Sequence, residues 1–295
     1  MTEDFRCAAA SLADAEPMAG TAPEDAVWLF VEQAGPWGRK AVAESRLPEE
    51  VREHLGGLDG VRVQLVRRHG GDDGTGDGVR VFAAHLAGTP RVWTGVLDDV
   101  RDLLDLDVAA PGAGTPDLAA YDGPLWLVCT NGRRDRCCAE VGRPVAAALA
   151  ARWPEATWET THLGGHRFSG TMLALPSAVA LGRLDPETAV AAAKELEAGR
   201  LPRSVVRGRA GHPAAAQVAE LHLRAELGLE DVDALVLRAA DDDRVVLGTP
   251  HDDLLVEVER TPAAPRRQSC ADLATKGGWE YRVRSWVRQE SPVHR

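Results

Sequence analysis

Hydrophobic and polar positions divide the chain into short strands alternating with amphipathic helices. An opening segment to about Asp25 is rich in Ala, Pro and Gly, and the apolar run WLFVEQ at Trp28 to Gln33 predicts the first strand. GPWG then predicts a turn anchored by a buried Trp37. KAVAESRLPEEVREHLGGL supplies helical material ending in a Gly pair, and GVRVQLVRR alternates as a half-buried strand does. HGGDDGTGDG predicts a hairpin tip, followed by strands VRVFAAHLAG and PRVWTGVL. DDVRDLLDLD has the acidic start that suits a helix N-terminus, where negative charge faces unsatisfied N–H groups.

Ala109 to Asp117, AAPGAGTPD, interrupts the periodicity and predicts a linker. A second unit follows: strand PLWLVCT, helix RPVAAALAARW, strand ATWETTHL, a strand pair TMLALPS and AVALGRL, and helix PETAVAAAKELEAG with Asp185 as N-cap and Pro186 at its first position. The order β-α-β-β-β-α thus occurs twice, which suggests an internal duplication. After helix PAAAQVAELHLRAELG, the segments ALVLRA, RVVLGT, LLVEVER and WEYRVRSWV predict a small, mainly β tail. The expected fold class is mixed α/β (α+β), with domains at 1–115, 116–228 and 229–295.

A length of 295 residues exceeds the common single-domain size of roughly 100–150, which agrees with more than one unit. Hydrophobic residues at 44% and charged residues at 27% fit a globular chain. A net charge of −11 argues against nucleic acid as a partner, because neutralising phosphates needs clustered Lys and Arg. The acidic N-terminus MTEDFRCAAA lacks the features of a signal peptide, and no window reaches the roughly 18 apolar residues of a membrane span. A cytoplasmic protein with no membrane partner is expected.

Chemistry concentrates in CTNGRRDRCC, which holds three of the five cysteines. Cysteine usage this sparse, odd in number and uneven in spacing does not form a secreted disulfide framework, and cytosolic thiols are more often metal ligands or redox centres. Cys129 ends a strand, Asn131-Gly132 turns the chain, and Asp135 is the expected N-cap of a helix with Cys137 and Cys138 in its first turn. HLGGH, His162 to His166, follows the next strand, and Gly164-Gly165 allows a turn that aims both imidazoles inward. Two thiolates and two imidazoles can make a tetrahedral zinc site or complete the coordination of a two-iron, two-sulfide cluster, and ligand count does not separate the two.

Cys137 and Cys138 point about 100° apart on a helix, so only one of them faces this site. Cys7 and Cys270, without partners nearby in sequence, read as structural, and the remaining histidines as surface or packing residues. Arg133, Arg134 and Arg136 would stabilise a more negative reduced centre. RGRAGHP, Arg207 to Pro213, reads as a second basic edge for docking. No Gly-rich nucleotide fingerprint follows a strand, and no carboxylate pair stands out as a glycosidase acid and nucleophile, so no small-molecule substrate is identified.

VCTNGRRDRCCAEVGRPVAAAL followed by THLGGHRFSGTMLALPS resembles the sucrase/ferredoxin-like family, also described as thioredoxin-like ferredoxins. WLFVEQAGPWGRKAVAESRLP and the early RCAAAS and EPMAGTA fit its N-terminal half, so the resemblance runs from about residue 7 to 225. It implies two thioredoxin-like units, the second holding a 2Fe-2S cluster through Cys129, Cys138, His162 and His166. The implied activity is one-electron transfer with an unidentified redox partner protein, a carrier rather than a stand-alone enzyme. A metal-free dithiol oxidoreductase using Cys129, Cys137 and Cys138, a structural zinc on the same four ligands, and a non-redox interaction module are the alternatives. The tail from residue 230 departs from the resemblance and is expected only to pack or dock a partner. By analogy with Rieske centres, imidazole ligation couples the electron to a proton. The reduction potential, measured by voltammetry, should therefore fall as pH rises from about 5 to 9, and a flat profile would contradict that coupling.

Overall fold

The computed structural model describes residues 5–70, 78–113 and 116–290. A short helix α1 (Cys7–Ala13), not expected from sequence, precedes β1 (Val27–Glu32). Helix α2 (Glu49–Gly57) is shorter than predicted. It starts directly after Pro48, whose fixed φ and missing N–H suit a helix start and not an interior, while residues 39–47 form turns and bends. β2 (Val61–Arg67), β3 (Val79–His85) and β4 (Arg91–Leu97) follow, then a 3-10 turn at Val100–Leu104 whose N-cap Asp99 accepts from Arg101 N at 2.8 Å, and β5 (Ala119–Ala120).

The second half comprises β6 (Leu125–Cys129), α3 (Arg136–Arg152), β7 (Thr157–Thr160), β8 (Met172–Leu175), β9 (Val179–Leu181), α4 (Pro186–Glu197), β10 (Val206–Arg209) and α5 (Ala214–Leu227). Pro144 lies inside a continuous α3. Asp185 caps α4 through a capping box with Thr188, as expected. β11 (Val236–Ala240), β12 (Arg244–Gly248), β13 (Asp252–Arg266) and β14 (Lys276–Glu290) close the chain.

Ten strands form one sheet in the order β10-β9-β8-β6-β7-β2-β1-β3-β4-β5, and the last four form a separate antiparallel sheet. The fold is mixed α/β with a small β-rich C-terminal part, as predicted. Both halves repeat one wiring: β1 pairs parallel with β2 and antiparallel with β3, which pairs with β4. Likewise, β6 pairs parallel with β7 and antiparallel with β8, which pairs with β9. The expected hairpin tip fails on this point. Residues 71–77 lie outside the described residues, but β2 and β3 do not pair, because β1 sits between them.

Strand alternation sorts the core. Leu29 and Val31 face α2, and Trp126 and Val128 face α3 and α4. Their neighbours Trp28, Phe30, Leu125 and Leu127 share a central cluster with Phe82 and Trp158, so the faces away from the helices meet. Helix α5 is buried along most of its length, and packs Ala215, Ala219 and Leu223 against Val245, Leu247 and Leu254 of the small sheet. No helix among the described residues is long and apolar enough to cross a membrane.

The halves meet where β2 pairs antiparallel with β7, Val66 opposite Thr160 and Arg67 opposite Glu159. Glu159 is 4% exposed and accepts from Arg67 Nη2 at 2.6 Å and Thr130 Oγ1 at 2.7 Å, with His69 Nδ1 2.7 Å from its other oxygen. Burial pushes this carboxyl up, but the hydrogen bonds from Thr130 and Arg67 outweigh it and hold the group below the usual glutamate value. Glu159→Gln should cost about 2 kcal/mol at neutral pH in urea unfolding, below the range for fully dry pairs because Arg67 keeps some solvent contact. The Glu159 contribution is complete above about pH 4.3, the unfolded value, and is lost as pH falls through the lower folded value. The stability gap between wild type and variant should therefore close in acid, and a gap that persists at pH 2 would contradict this assignment.

Candidate metal centre

β6 and β7 run parallel and present their C-terminal ends side by side, Cys129 opposite Thr160. The chain leaving β6 turns through Asn131 and enters α3 at Asp135, whose Oδ1 accepts from Cys137 N at 2.9 Å. That cap begins the helix one residue before Cys137 and brings Cys138 back over Cys129. Close approach needs Gly142: a Cβ there would lie 2.1 Å from the carbonyl oxygen of Cys129.

The chain leaving β7 supplies the histidines. Gly164 and Gly165 form the turn anticipated from sequence, with left-handed φ of +87° and +70°, and His166 opens a short 3-10 turn, His166–Phe168. His162 Nδ1 lies 3.9 Å from Cys129 Sγ and 3.8 Å from Cys138 Sγ. His162 Nε2 faces His166 Nδ1 at 3.1 Å, with the ring centroids 4.8 Å apart. Cys129, Cys138 and His162 therefore form a compact group whose ligand atoms all lie within 4.8 Å of one another, and His166 joins it through His162. Cys129 and Cys138 are buried, while both histidines are half-buried.

The electrostatics suit a cation. The hydrogen bond from Cys138, reinforced by His162, holds the Cys129 thiol well below its usual range despite burial, while the Cys138 thiol that shares its proton is pushed up. Burial and the neighbouring His162 push His166 down, which favours the neutral imidazole that a metal needs. Beneath the loop lies Arg207, 2% exposed, whose Nη1 donates to Gly164 O at 3.2 Å and whose guanidinium also bonds Thr21 O. Burial lowers Arg207 to about 10, so it remains a cation at neutral pH, and its attraction to Cys129 favours the thiolate. Arg62, stacked on Trp28 at 4.6 Å, donates to His162 O at 3.0 Å and fixes the other end of the loop.

Two sequence expectations change here. RGRAGHP is no docking edge: Arg207 and Arg209 point inward, and Arg209 Nε pairs with the buried Glu220 at 3.0 Å. Their flanking valines, Val205 and Val206, were the signal for an interior strand. Cys7 and Cys270, read as structural for want of neighbours in sequence, gather with Cys137 and Asp135 on the other side of the first turn of α3. Trp37 is buried in its turn as predicted, donating to Gln33 O at 2.9 Å.

A mixed α/β fold with clustered cysteine, histidine and aspartate side chains that could hold a metal is thus defined. Residues 18–208 match the sucrase/ferredoxin-like family model, more than half of the chain, and the protein belongs to that family. Cys129, Cys138, His162 and His166 fall within the matched residues, and Cys7 and Cys270 fall outside them. No curated protein and no solved structure matches the chain.

Gly142→Ala should separate α3 from β6 and destabilise the chain by about 1–3 kcal/mol, as overpacking of a backbone contact does. Gly56→Ala, in open space on α2, should be neutral or stabilising by up to about 1 kcal/mol. Equal effects of the two in chemical denaturation would contradict the close contact at Cys129.

Proposed function

We propose that the protein carries single electrons by means of a 2Fe-2S cluster held by Cys129, Cys138, His162 and His166. The observation that supports this most strongly is the convergence of two buried thiols and two adjacent imidazoles at the ends of parallel strands β6 and β7. The donor set fits the group: thiolates and neutral imidazoles are its known protein ligands, and the chain lowers the Cys129 thiol and keeps His166 neutral. When bound, such a cluster accepts and returns one electron at a time.

The chain's own residues set the conditions for that chemistry. Arg207 supplies a buried positive charge behind Cys129, which favours added negative charge at the site. Half-buried His162 and His166 keep ring edges within reach of solvent protons, which suits a proton accompanying the electron. Arg133 and Arg136, exposed beside the site on an acidic chain, offer a docking edge for an acidic redox partner protein. The sheet orders β2-β1-β3-β4 and β7-β6-β8-β9, with cysteines at the start of the helix after the central strand, support the reading of both halves as thioredoxin-like units. A cytoplasmic location accords with reduced thiols, none of them in a disulfide.

A second reading, one zinc ion in place of the cluster, draws on the compactness of Cys129, Cys138 and His162, which leaves His166 outside the group. Purification under anaerobic conditions separates the two. The cluster predicts reddish-brown protein with about two irons and two acid-labile sulfides per chain, and loss of the colour in both His162→Ala and His166→Ala. Colourless protein holding zinc at Cys129 and Cys138, or with those thiols free, would reject it.

A further inference from the structure

Helix α3 carries two consecutive cysteines, and only Cys138 faces the centre above. Cys137 Sγ points to the other side, 3.4 Å from Cys270 Sγ, which lies 3.6 Å from Cys7 Sγ. Asp135 Oδ1 is 3.1 Å from Cys270 Sγ and 3.5 Å from Cys7 Sγ. These ligand atoms all lie within 4.8 Å of one another. Chance burial of thiols explains this poorly, because the groups come from three remote segments: the start of α1, the first turn of α3, and the connection between β13 and β14.

We propose that Cys7, Cys137, Cys270 and Asp135 form a second metal site, which takes a single zinc ion. Three thiolates and one carboxylate are a donor set that zinc accepts in tetrahedral geometry. Bonds of about 2.3 Å to sulfur and about 2.0 Å to oxygen place tetrahedral ligand atoms about 3.8 Å apart for sulfur pairs and about 3.5 Å for sulfur and oxygen. The observed separations of 3.4 and 3.6 Å between sulfurs, and of 3.1 and 3.5 Å to the carboxylate, match one small ion.

Three of the four ligands are buried, and Cys270 is half-buried. Cys7 is 0% exposed, Cys137 2% and Asp135 4%. The backbone supplies an N–H donor to one thiol and one to the carboxylate: Cys7 N donates to Cys270 Sγ at 3.4 Å, and Cys270 N donates to Asp135 Oδ2 at 2.7 Å. Further contacts hold the three segments in place. Arg6 pairs with Glu140 of α3 at 2.6 Å, Arg267 lies 3.7 Å over the Phe5 ring, and Arg167 donates to Arg267 O at 2.7 Å. The ion would tie the N-terminal helix and the C-terminal sheet to α3, which gives the tail beyond the family region a role. The two centres also touch, since Cys7 Sγ is 3.5 Å from the carbonyl oxygen of His166.

The test uses the full chain produced with iron and zinc supplied, and measures both metals together with the visible spectrum. About one zinc per chain should survive dialysis against EDTA. Cys270→Ser should lower bound zinc about tenfold or more while leaving iron and colour in place, and Cys129→Ser should do the reverse. Asp135→Asn keeps a good helix cap but loses a charged ligand, so it should release zinc with the helical circular dichroism unchanged. Wild-type chain refilled with Co2+ after zinc removal should show thiolate-to-cobalt charge-transfer absorption, abolished in Cys270→Ser. Absence of retained zinc, a disulfide among Cys7, Cys137 and Cys270 in the isolated protein, or zinc lost with Cys129→Ser and kept in Cys270→Ser would overturn the proposal. Should the iron cluster be absent, zinc that depends on Cys270 still distinguishes this site from the first.

Discussion

The carboxylate of Asp135 is the constraint on which the chemistry of this fold depends. One oxygen accepts from the backbone of Cys137 and sets where α3 begins, and the other holds the backbone of Cys270. A helix start fixed at that residue sends consecutive side chains about 100° apart. Cys138 is thereby turned toward Cys129 and His162, and Cys137 toward Cys7 and Cys270. Starting the helix one residue later would rotate both thiols away from their partners. The cap is therefore worth more to function than the roughly 1 kcal/mol such contacts contribute to stability.

Around that pivot the architecture is economical in its use of one wiring twice. Each half places a parallel pair beside two antiparallel strands, and the halves join through β2 and β7. Glu159 stands at this seam and also bonds Thr130, the neighbour of Cys129, so the junction of the halves braces the residue that ends β6. Only the second half carries cysteines at the helix that follows its central strand, and there a Gly at the helix–strand contact and a Gly-Gly turn bring helix, strand end and loop together.

Local signals were legible and long-range ones were not. The caps at Asp135 and Asp185, the helix after Cys138, the glycine turn between His162 and His166 and the four strands of the tail all follow from residues adjacent in sequence. The insertion of β1 between β2 and β3 depends on pairing across the sheet, which alternation does not encode. Arg207 reads as a surface charge until the strand around it is known to be buried. Cys7 and Cys270 are separated by 263 positions, and nothing in either neighbourhood names the other. α1 is seven residues long, without an amphipathic pattern of sufficient length to predict it.

On the two-centre proposal, the adjacent Cys137 and Cys138 serve separate inorganic centres. Metal analysis of Cys137→Ser and Cys138→Ser, prepared side by side from the full chain, tests it most directly. Zinc should be lost and iron kept in the first variant, and iron lost and zinc kept in the second. Loss of the same metal from both variants would contradict it.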